Sequence, residues 1–287
     1  MQVSDFQEVL TRNNIVQNVV SLSAVGGGCI NDAYKLVCNK DVFFLKLNKS
    51  EISKKMFEKE AEALKVLAQK SKFVVPTPLF VAPMKNYHLL AMNFIESGNR
   101  KADFWEDFAT KLFELHSVTN QNFGLENDNF IASLVQKNDF RDNWISFFVE
   151  MRILPFGKLL VDGGKLPYSQ FKKLEDFANT FSRFFTKEKP ALLHGDLWSG
   201  NFMTNIEGDV VLIDPAVYYG IPEVDIAMTK FFGGFHSDFY TAYESLLGEK
   251  FSAERIEVSK IYPLLVHAEL FGLSYWYEIE QIVERFS

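Results

Sequence analysis

The chain has 287 residues, 47% of them hydrophobic and 29 of them phenylalanine, so it can bury a sizeable core and is too apolar for long disorder. A net charge of −7 speaks against a nucleic-acid partner, which would need a concentrated basic face. Two cysteines, Cys29 and Cys38, are too few for a disulfide framework. No stretch approaches a membrane span without charges, and Asp5 and Glu8 stand where a secretory signal would be apolar. These features predict a cytoplasmic protein with neither a membrane nor a nucleic acid as partner.

In chain order, residues 3–13 read as an amphipathic helix with Val3, Phe6, Val9 and Leu10 on one face. A strand over Val19–Val25 runs into Gly26-Gly27-Gly28, and strands at 33–38 and 42–47 follow. A glycine run between strands lets backbone amides approach phosphates closely. A plain turn is the competing reading, because the run does not match Gly-x-Gly-x-x-Gly.

Lys46 is the one charge in Val-Phe-Phe-Leu-Lys-Leu. In the helix predicted over 56–68, Phe57, Leu64 and Leu67 share a stripe with Glu60, while Glu58, Glu62 and Lys65 lie on a polar face. A carboxylate on an apolar face needs a cationic partner, and Lys46 on the preceding strand is the candidate. In kinases such a pair positions the α- and β-phosphates; a purely structural ion pair is the alternative.

Strands at 79–82 and 88–94, joined by a turn at 83–86, come before Ile95-Glu96-Ser97-Gly98, a break that reads as a hinge between lobes. Residues 1–95 would form a nucleotide-binding lobe and 96–287 a catalytic and substrate-binding lobe. Met92, Asn93, Phe94 and Ile95 would then line the adenine pocket, with backbone groups of Asn93 and Ile95 on the base edge. That placement follows from position alone.

The second part opens with a helix striped by Trp105, Phe108, Leu112 and Leu115 and ending near His116, which reads as structural. Residues 119–138 are rich in Asn and Gln, lack periodicity and read as a loop-like insertion. Helices are predicted at 139–153 and 168–185, from Glu223, around 239–247 and from Ala253, with Pro263 breaking the last.

Between these helices runs Leu-Leu-His-Gly-Asp-Leu-Trp-Ser-Gly-Asn, a short strand pair, and Val-Leu-Ile-Asp-Pro. The spacing His-x-Asp-x-x-x-x-Asn with a strand-borne Asp matches a kinase catalytic loop. Asp196 is the candidate base for an acceptor hydroxyl, and Asn201 and Asp214 are hard oxygen ligands suited to Mg²⁺ beside ATP. His194 reads as a packing residue that holds the loop. A single loop Asp is usually a cap or turn residue, but Lys46, Glu60, Asp196, Asn201 and Asp214 occur together in the order a kinase requires. Only ten residues separate Asp214 from Asp225. That leaves no room for a platform that would hold a polypeptide, so a small-molecule acceptor is expected. Asp225 reads as a loop anchor.

His194-Gly195-Asp196-Leu197-Trp198-Ser199-Gly200-Asn201 closely resembles the signature of the fructosamine kinase (ketosamine-3-kinase) family. Counterparts run nearly end to end. They include Gly-Gly-Gly-Cys-Ile-Asn at 26–31, Met56 to Glu60, Phe123-Gly124 with Asp128-Asn129, and Trp144 with Phe147-Phe148. Ile213 to Ala216, Glu223 to Asp225 and Phe232 to Phe235 belong to the same set.

The resemblance implies an α+β, bilobal protein-kinase-like fold and ATP-dependent phosphorylation of a sugar hydroxyl, typically O3, on a ketoamine adduct. The adduct is carried by a small amine or a protein lysine, and its phosphorylation leads to deglycation. Asp196 would be the proton acceptor. The ring of Trp198 would stack on the sugar, although a core role competes. His267 and Glu269, in His267-Ala268-Glu269-Leu270-Phe271-Gly272, are further candidates for contact with the acceptor. The chain departs from the family pattern at Ala132, at Val135-Gln136 and at Glu269; if these positions touch the acceptor, a different adduct is preferred. Cys29 on the glycine loop could be redox-sensitive. The alternatives are a kinase for another hydroxylated amine, such as an aminoglycoside or a choline-like alcohol, and a catalytically silent nucleotide-binding regulator. Monomer and homodimer both remain open.

Overall fold

A computed structural model describes residues 2–26 and 31–287. Gly27, Gly28 and Cys29 lie outside the described residues. The chain begins with α1 (Val3–Arg12), β1 (Val19–Val25), β2 (Asp32–Cys38), β3 (Val42–Asn48), α2 (Ser53–Lys70), β4 (Pro78–Met84) and β5 (Tyr87–Asn93). It continues through α3 (Phe104–His116), the hairpin β6 (Asn129–Ile131) and β7 (Leu134–Gln136), and α4 (Trp144–Phe148). Next come α5 (Leu154–Asp162), α6 (Tyr168–Ala178), β8 (Ala191–Leu193), β9 (Phe202–Thr204), β10 (Val210–Leu212) and β11 (Tyr218–Gly220). The chain ends with α7 (Pro222–Thr229), α8 (Ser237–Leu247), α9 (Ala253–Ser259), α10 (Ile261–Phe271) and α11 (Trp276–Phe286). By compactness it divides into two units, Met1–Phe104 with Gly200–Pro215, and Trp105–Ser199 with Ala216–Ser287.

The first unit is built on a five-stranded antiparallel sheet of order β1-β2-β3-β5-β4. The period-2 alternation of β3 decides what each face holds. Phe43, Leu45 and Leu47 point to one side and pack with Phe6, Val9 and Leu10 of α1. Phe44 points to the other, against Phe57, Ala61 and Leu64 of α2, and Lys46 shares that face. The β9–β10 hairpin joins this unit through the Val74↔Val211 bridge and the bonds from Leu212 N to Val74 O and from Gly98 N to Thr204 O.

The second unit is mainly helical, with a buried core that includes Trp144 stacked on Phe148 at 4.8 Å. The wholly buried strand β8 pairs antiparallel with β11, Leu193 opposite Tyr218. Among the described residues no helix is long and apolar enough to cross a membrane.

The elements differ from expectation where polar groups replace apolar periodicity. Within 119–138 lies the β6–β7 hairpin, whose inner side is Asn129, Gln136 and Asn138, each almost fully buried. The helix expected over 139–153 starts only at Trp144, because the Asn143 side chain caps it by accepting from Ser146 N, and it passes through a π segment over Val149–Ile153. α6 ends at Ala178, and a 3₁₀ turn follows over Phe181–Arg183. The C-terminal break falls at Lys260, between α9 and α10. Pro263 sits in the first turn of α10, where its missing N–H has no intrahelical acceptor to lose.

Candidate active site

In the first unit Lys46 Nζ lies 2.7 Å from Glu60 Oε1 and also pairs with Asp214 Oδ1. The placement follows from two periodicities. β3 turns Lys46 to the α2 face, and Glu60 falls in α2 one helical turn from Met56 and one from Leu64, both buried. At contact range one carboxylate returns about 4 kcal/mol at an effective dielectric of about 20. Burying an ammonium costs several kcal/mol, so the second carboxylate tips the balance. The proton affinities agree. Burial works against the Lys46 ammonium, but Asp214 and Glu60 outweigh it and hold its pKa above the ordinary lysine value. Burial raises the Glu60 pKa, and the Lys46 charge offsets that only in part.

Asp214 has a φ of +55°, a left-handed conformation that Asp tolerates better than most residues and that concentrates at functional sites. It follows β10, and Asn201 precedes β9, so the hairpin returns Asp214 beside Asn201: Ile213 N donates to Asn201 O at 3.0 Å. Asn201 is 5% exposed. An amide oxygen and a carboxylate fit a hard dication, and among the described residues no three His, Cys, Asp or Glu side chains are grouped to hold one. A magnesium ion here would take its other ligands from phosphate oxygens and water.

In the second unit β8 delivers His194-Gly195-Asp196. Asp225, fully buried on α7, accepts from His194 N through Oδ2 at 2.8 Å and from Gly195 N through Oδ1 at 2.9 Å. His116 Nε2 lies 3.2 Å from the same Oδ2, and its Nδ1 lies 2.6 Å from the Tyr243 hydroxyl. Asp225 therefore anchors the loop, as expected, and His116 supports Asp225. Gly195 has φ +84°, and a Cβ there would lie 2.1 Å from Ala216 O, so only glycine fits. His194 is buried; its carbonyl accepts from Ala216 N and its Nδ1 accepts from Asp196 N at 3.3 Å. It holds the loop.

Two of the three expected acceptor contacts belong to one aromatic group. Trp198 meets Phe232 edge-on with ring centroids 5.2 Å apart, and Phe232 lies 5.5 Å from His267. His267 also packs on Phe231, Phe271 and Tyr275, and its Nδ1 bonds Pro263 O. Burial lowers its pKa. Glu269 is placed elsewhere. Two residues from His267 on α10, it points away from that face and pairs with Lys165 at 2.7 Å. Gln136, one of the positions that depart from the family pattern, is fully buried.

On the expected adenine strand, the Met92 side chain is core, packed with Phe57, Leu64 and Leu90. The Asn93 amide donates to Thr77 O, and the Phe94 amide donates to Val42 O. Asn93 closes β5, and Ile95 lies two residues beyond it. Among the described residues, a Cβ at Gly26 would meet nothing within 4 Å.

The sequence reading assigned no role to Phe232 or to the buried polar set Asn129, Gln136, Asn138, Arg152 and Tyr262, although Phe232, Asn129 and Gln136 stand in stretches compared with the family pattern. The Asn and Gln density of 119–138 was the available signal for the latter; Phe232 was visible only as part of Phe-Gly-Gly-Phe.

A family model described as fructosamine kinase matches residues 3–287. A protein of Enterococcus faecium assigned as a ketoamine kinase is 35% identical over 286 residues, covering 98% of this chain and 100% of that one. The chloroplastic protein-ribulosamine 3-kinase of Arabidopsis thaliana is 33% identical over 285 residues, covering 97% of this chain and 86% of that one. A crystal structure from Thermobifida fusca, assigned as a fructosamine-3-kinase, superposes with a TM-score of 0.82 at 26% identity over 96% of each chain. The fold is that of the protein-kinase-like phosphotransferases, with an antiparallel sheet in the N-terminal part and helices through most of the rest.

Proposed function

The chain belongs to the fructosamine kinase family, and from that premise we propose that it transfers the terminal phosphoryl group of ATP to a sugar hydroxyl, O3, of a ketosamine. The acceptor is a ribulosyl or fructosyl adduct of a small amine or a protein lysine, and the reaction serves deglycation in the cytoplasm. The observation that carries this reading is the buried Lys46 ammonium held between Glu60 and Asp214. A kinase needs such a cation to meet phosphate oxygens and a carboxylate beside it to meet a metal.

In this reading residues 1–95 form the nucleotide-binding lobe. Lys46 holds the α- and β-phosphates, and Glu60 keeps Lys46 extended toward them. Gly26, Gly27 and Gly28 cover the phosphates, and the Asn93 carbonyl and Ile95 receive the adenine edge beside Met92 and Phe94. Asn201 and Asp214 would hold magnesium, and the ion, when bound, would supply neutralisation of the phosphate charge. Asp196 accepts the proton of the attacking O3 hydroxyl while its oxygen bonds to phosphorus and the ADP oxygen leaves. Trp198 and His267 form one wall of the acceptor site. Glu269, committed to Lys165, has no substrate role here.

ADP release measured across ribulosyl-amines, fructosyl-amines, aminoglycosides and choline tests the proposal. Turnover of a ketosamine supports it; turnover of only the last two would overturn it. Asp196→Asn should bind ATP and lose turnover by about 10² or more.

A further inference from the structure

The polar interior of the β6–β7 hairpin has no part in the function so far, yet it bonds the segment that follows Asp214. Gln136 Nε2 donates to Ala216 O at 3.2 Å and to Asn129 Oδ1 at 2.7 Å. Asn129 Nδ2 donates to Val217 O at 2.9 Å. Tyr262 OH donates to Gln136 Oε1 at 2.6 Å, which fixes the amide with its nitrogen toward Ala216. Asn138 Nδ2 donates to Asn129 Oδ1 at 2.9 Å, and Arg152, fully buried, donates to Asn138 Oδ1 at 2.7 Å.

The Ala216 carbonyl links this network to the loop of Asp196. It is the atom for which Gly195 leaves room, since a Cβ on Gly195 would stand 2.1 Å from it. The Ala216 amide, in turn, donates to His194 O at 2.9 Å. Gln136 thus holds one end of a peptide segment that also bonds His194 and lies against Gly195, the two residues preceding Asp196. Burial, opposed by Arg152 and reinforced by Tyr218 and Asp196, raises the Tyr262 pKa, so its hydroxyl remains a donor at any working pH. A buried network in which each amide group has its partner is rigid, and a catalytic group needs such support to be held to within a fraction of an ångström.

We propose that Gln136, with Asn129 beside it, is a positioning residue for phosphoryl transfer: it fixes Ala216 and Val217, and through them the His194–Asp196 loop. The hairpin that reads as a featureless insertion is then a brace for the base. This inference rests on the reading of Asp196 as base. A displacement of about 1 Å at a reacting group costs on the order of 10²-fold in rate, so loosening the brace should act on kcat.

The test uses the full chain, ATP and whichever ketosamine it turns over best. Gln136→Glu keeps the shape and the acceptor for Tyr262 but sets an oxygen against Ala216 O. Its kcat should fall at least tenfold while the ATP KM stays within twofold, since the phosphate-binding residues are untouched. Ala132→Gly, in the same hairpin but outside the network, should keep the wild-type kcat. A folded Gln136→Glu protein with kcat within twofold of wild type would overturn the proposal, as would a loss seen equally in Ala132→Gly. If Gln136→Glu does not fold, Asn129→Asp decides by the same criteria, because it keeps the acceptor for Gln136 and Asn138 and sets an oxygen against Val217 O. Asp196→Asn serves as the reference. If that variant is fully active, the reading of the base fails and this inference with it; if it is inactive while Gln136→Glu is unimpaired, only this inference fails.

Discussion

Asp225 and His194, 31 residues apart, are joined by a 2.8 Å bond from the His194 amide to a carboxylate that has no solvent exposure. The other carboxylate oxygen takes the amide of Gly195 at 2.9 Å, so two successive N–H groups before Asp196 end on one buried acid. A carboxylate can accept from both, and an amide cannot. Asp225→Asn turns an NH₂ group toward one of the loop amides and leaves a buried donor unpaired. The expected loss is about 3 kcal/mol of stability, read by urea denaturation, together with at least a tenfold drop in kcat. Wild-type stability in this variant would refute the anchor.

Lys46→Met removes the cation between Glu60 and Asp214. Phosphate binding should suffer, with turnover down about 10²-fold or more. The stability effect depends on pH. Burial already raises the Glu60 pKa above its ordinary 4.5, and the Lys46 charge opposes that rise. Without Lys46 the folded pKa rises further. A carboxyl group with a raised folded pKa stabilises the fold below its unfolded value and loses that contribution as pH climbs through the folded value. The variant should therefore melt lower at pH 8 than at pH 6, by a wider margin than wild type. Equal margins in thermal melts would count against a buried, uncompensated Glu60.

Ala132 occupies the first position of the two-residue β6–β7 turn with φ +53°, a place that favours glycine. The left-handed conformation costs alanine about 1–2 kcal/mol, and glycine gives back about 0.4–1 kcal/mol through the entropy of the unfolded chain. Ala132→Gly should gain about 1 kcal/mol in chemical denaturation and leave kcat unchanged. A destabilised variant would mean that the turn is not under this strain.

Phe232 carries a bulky ring at φ +54° and is 52% exposed, in contact with Trp198 and His267. Strain of this kind persists at functional sites when something other than stability retains it. Phe232→Gly should be at least as stable as wild type and should raise the ketosamine KM while the ATP KM holds. An unchanged acceptor KM would assign the ring to no more than the surface.

The parts legible in the sequence follow from short-range patterns. The apolar run at 42–47 marked β3 and set Lys46 apart as its one charge, and the 3.6-residue stripe of α2 put Glu60 on the apolar side. The fixed spacing from Asp196 to Asn201, and the short path from Asp214 to Asp225, pointed to a kinase of small molecules. Each signal lives within one element or one loop, where neighbours in sequence are neighbours in space.

What tertiary structure decided involves partners far apart along the chain. Periodicity could propose a partner for Glu60, but it could not show that Asp214, 168 residues from Lys46, joins the pair. It could not show Gln136 under Ala216, because a residue held by hydrogen bonds leaves no apolar rhythm in its own segment. It listed His267 and Glu269 together, while the helix turns them to different faces. The sequence by itself determined the fold family and the order of the chemical groups, since both rest on local pattern. The bracing of the loop, the buried charges and the strain at Ala132 and Phe232 depend on contacts that exist only once distant segments have packed.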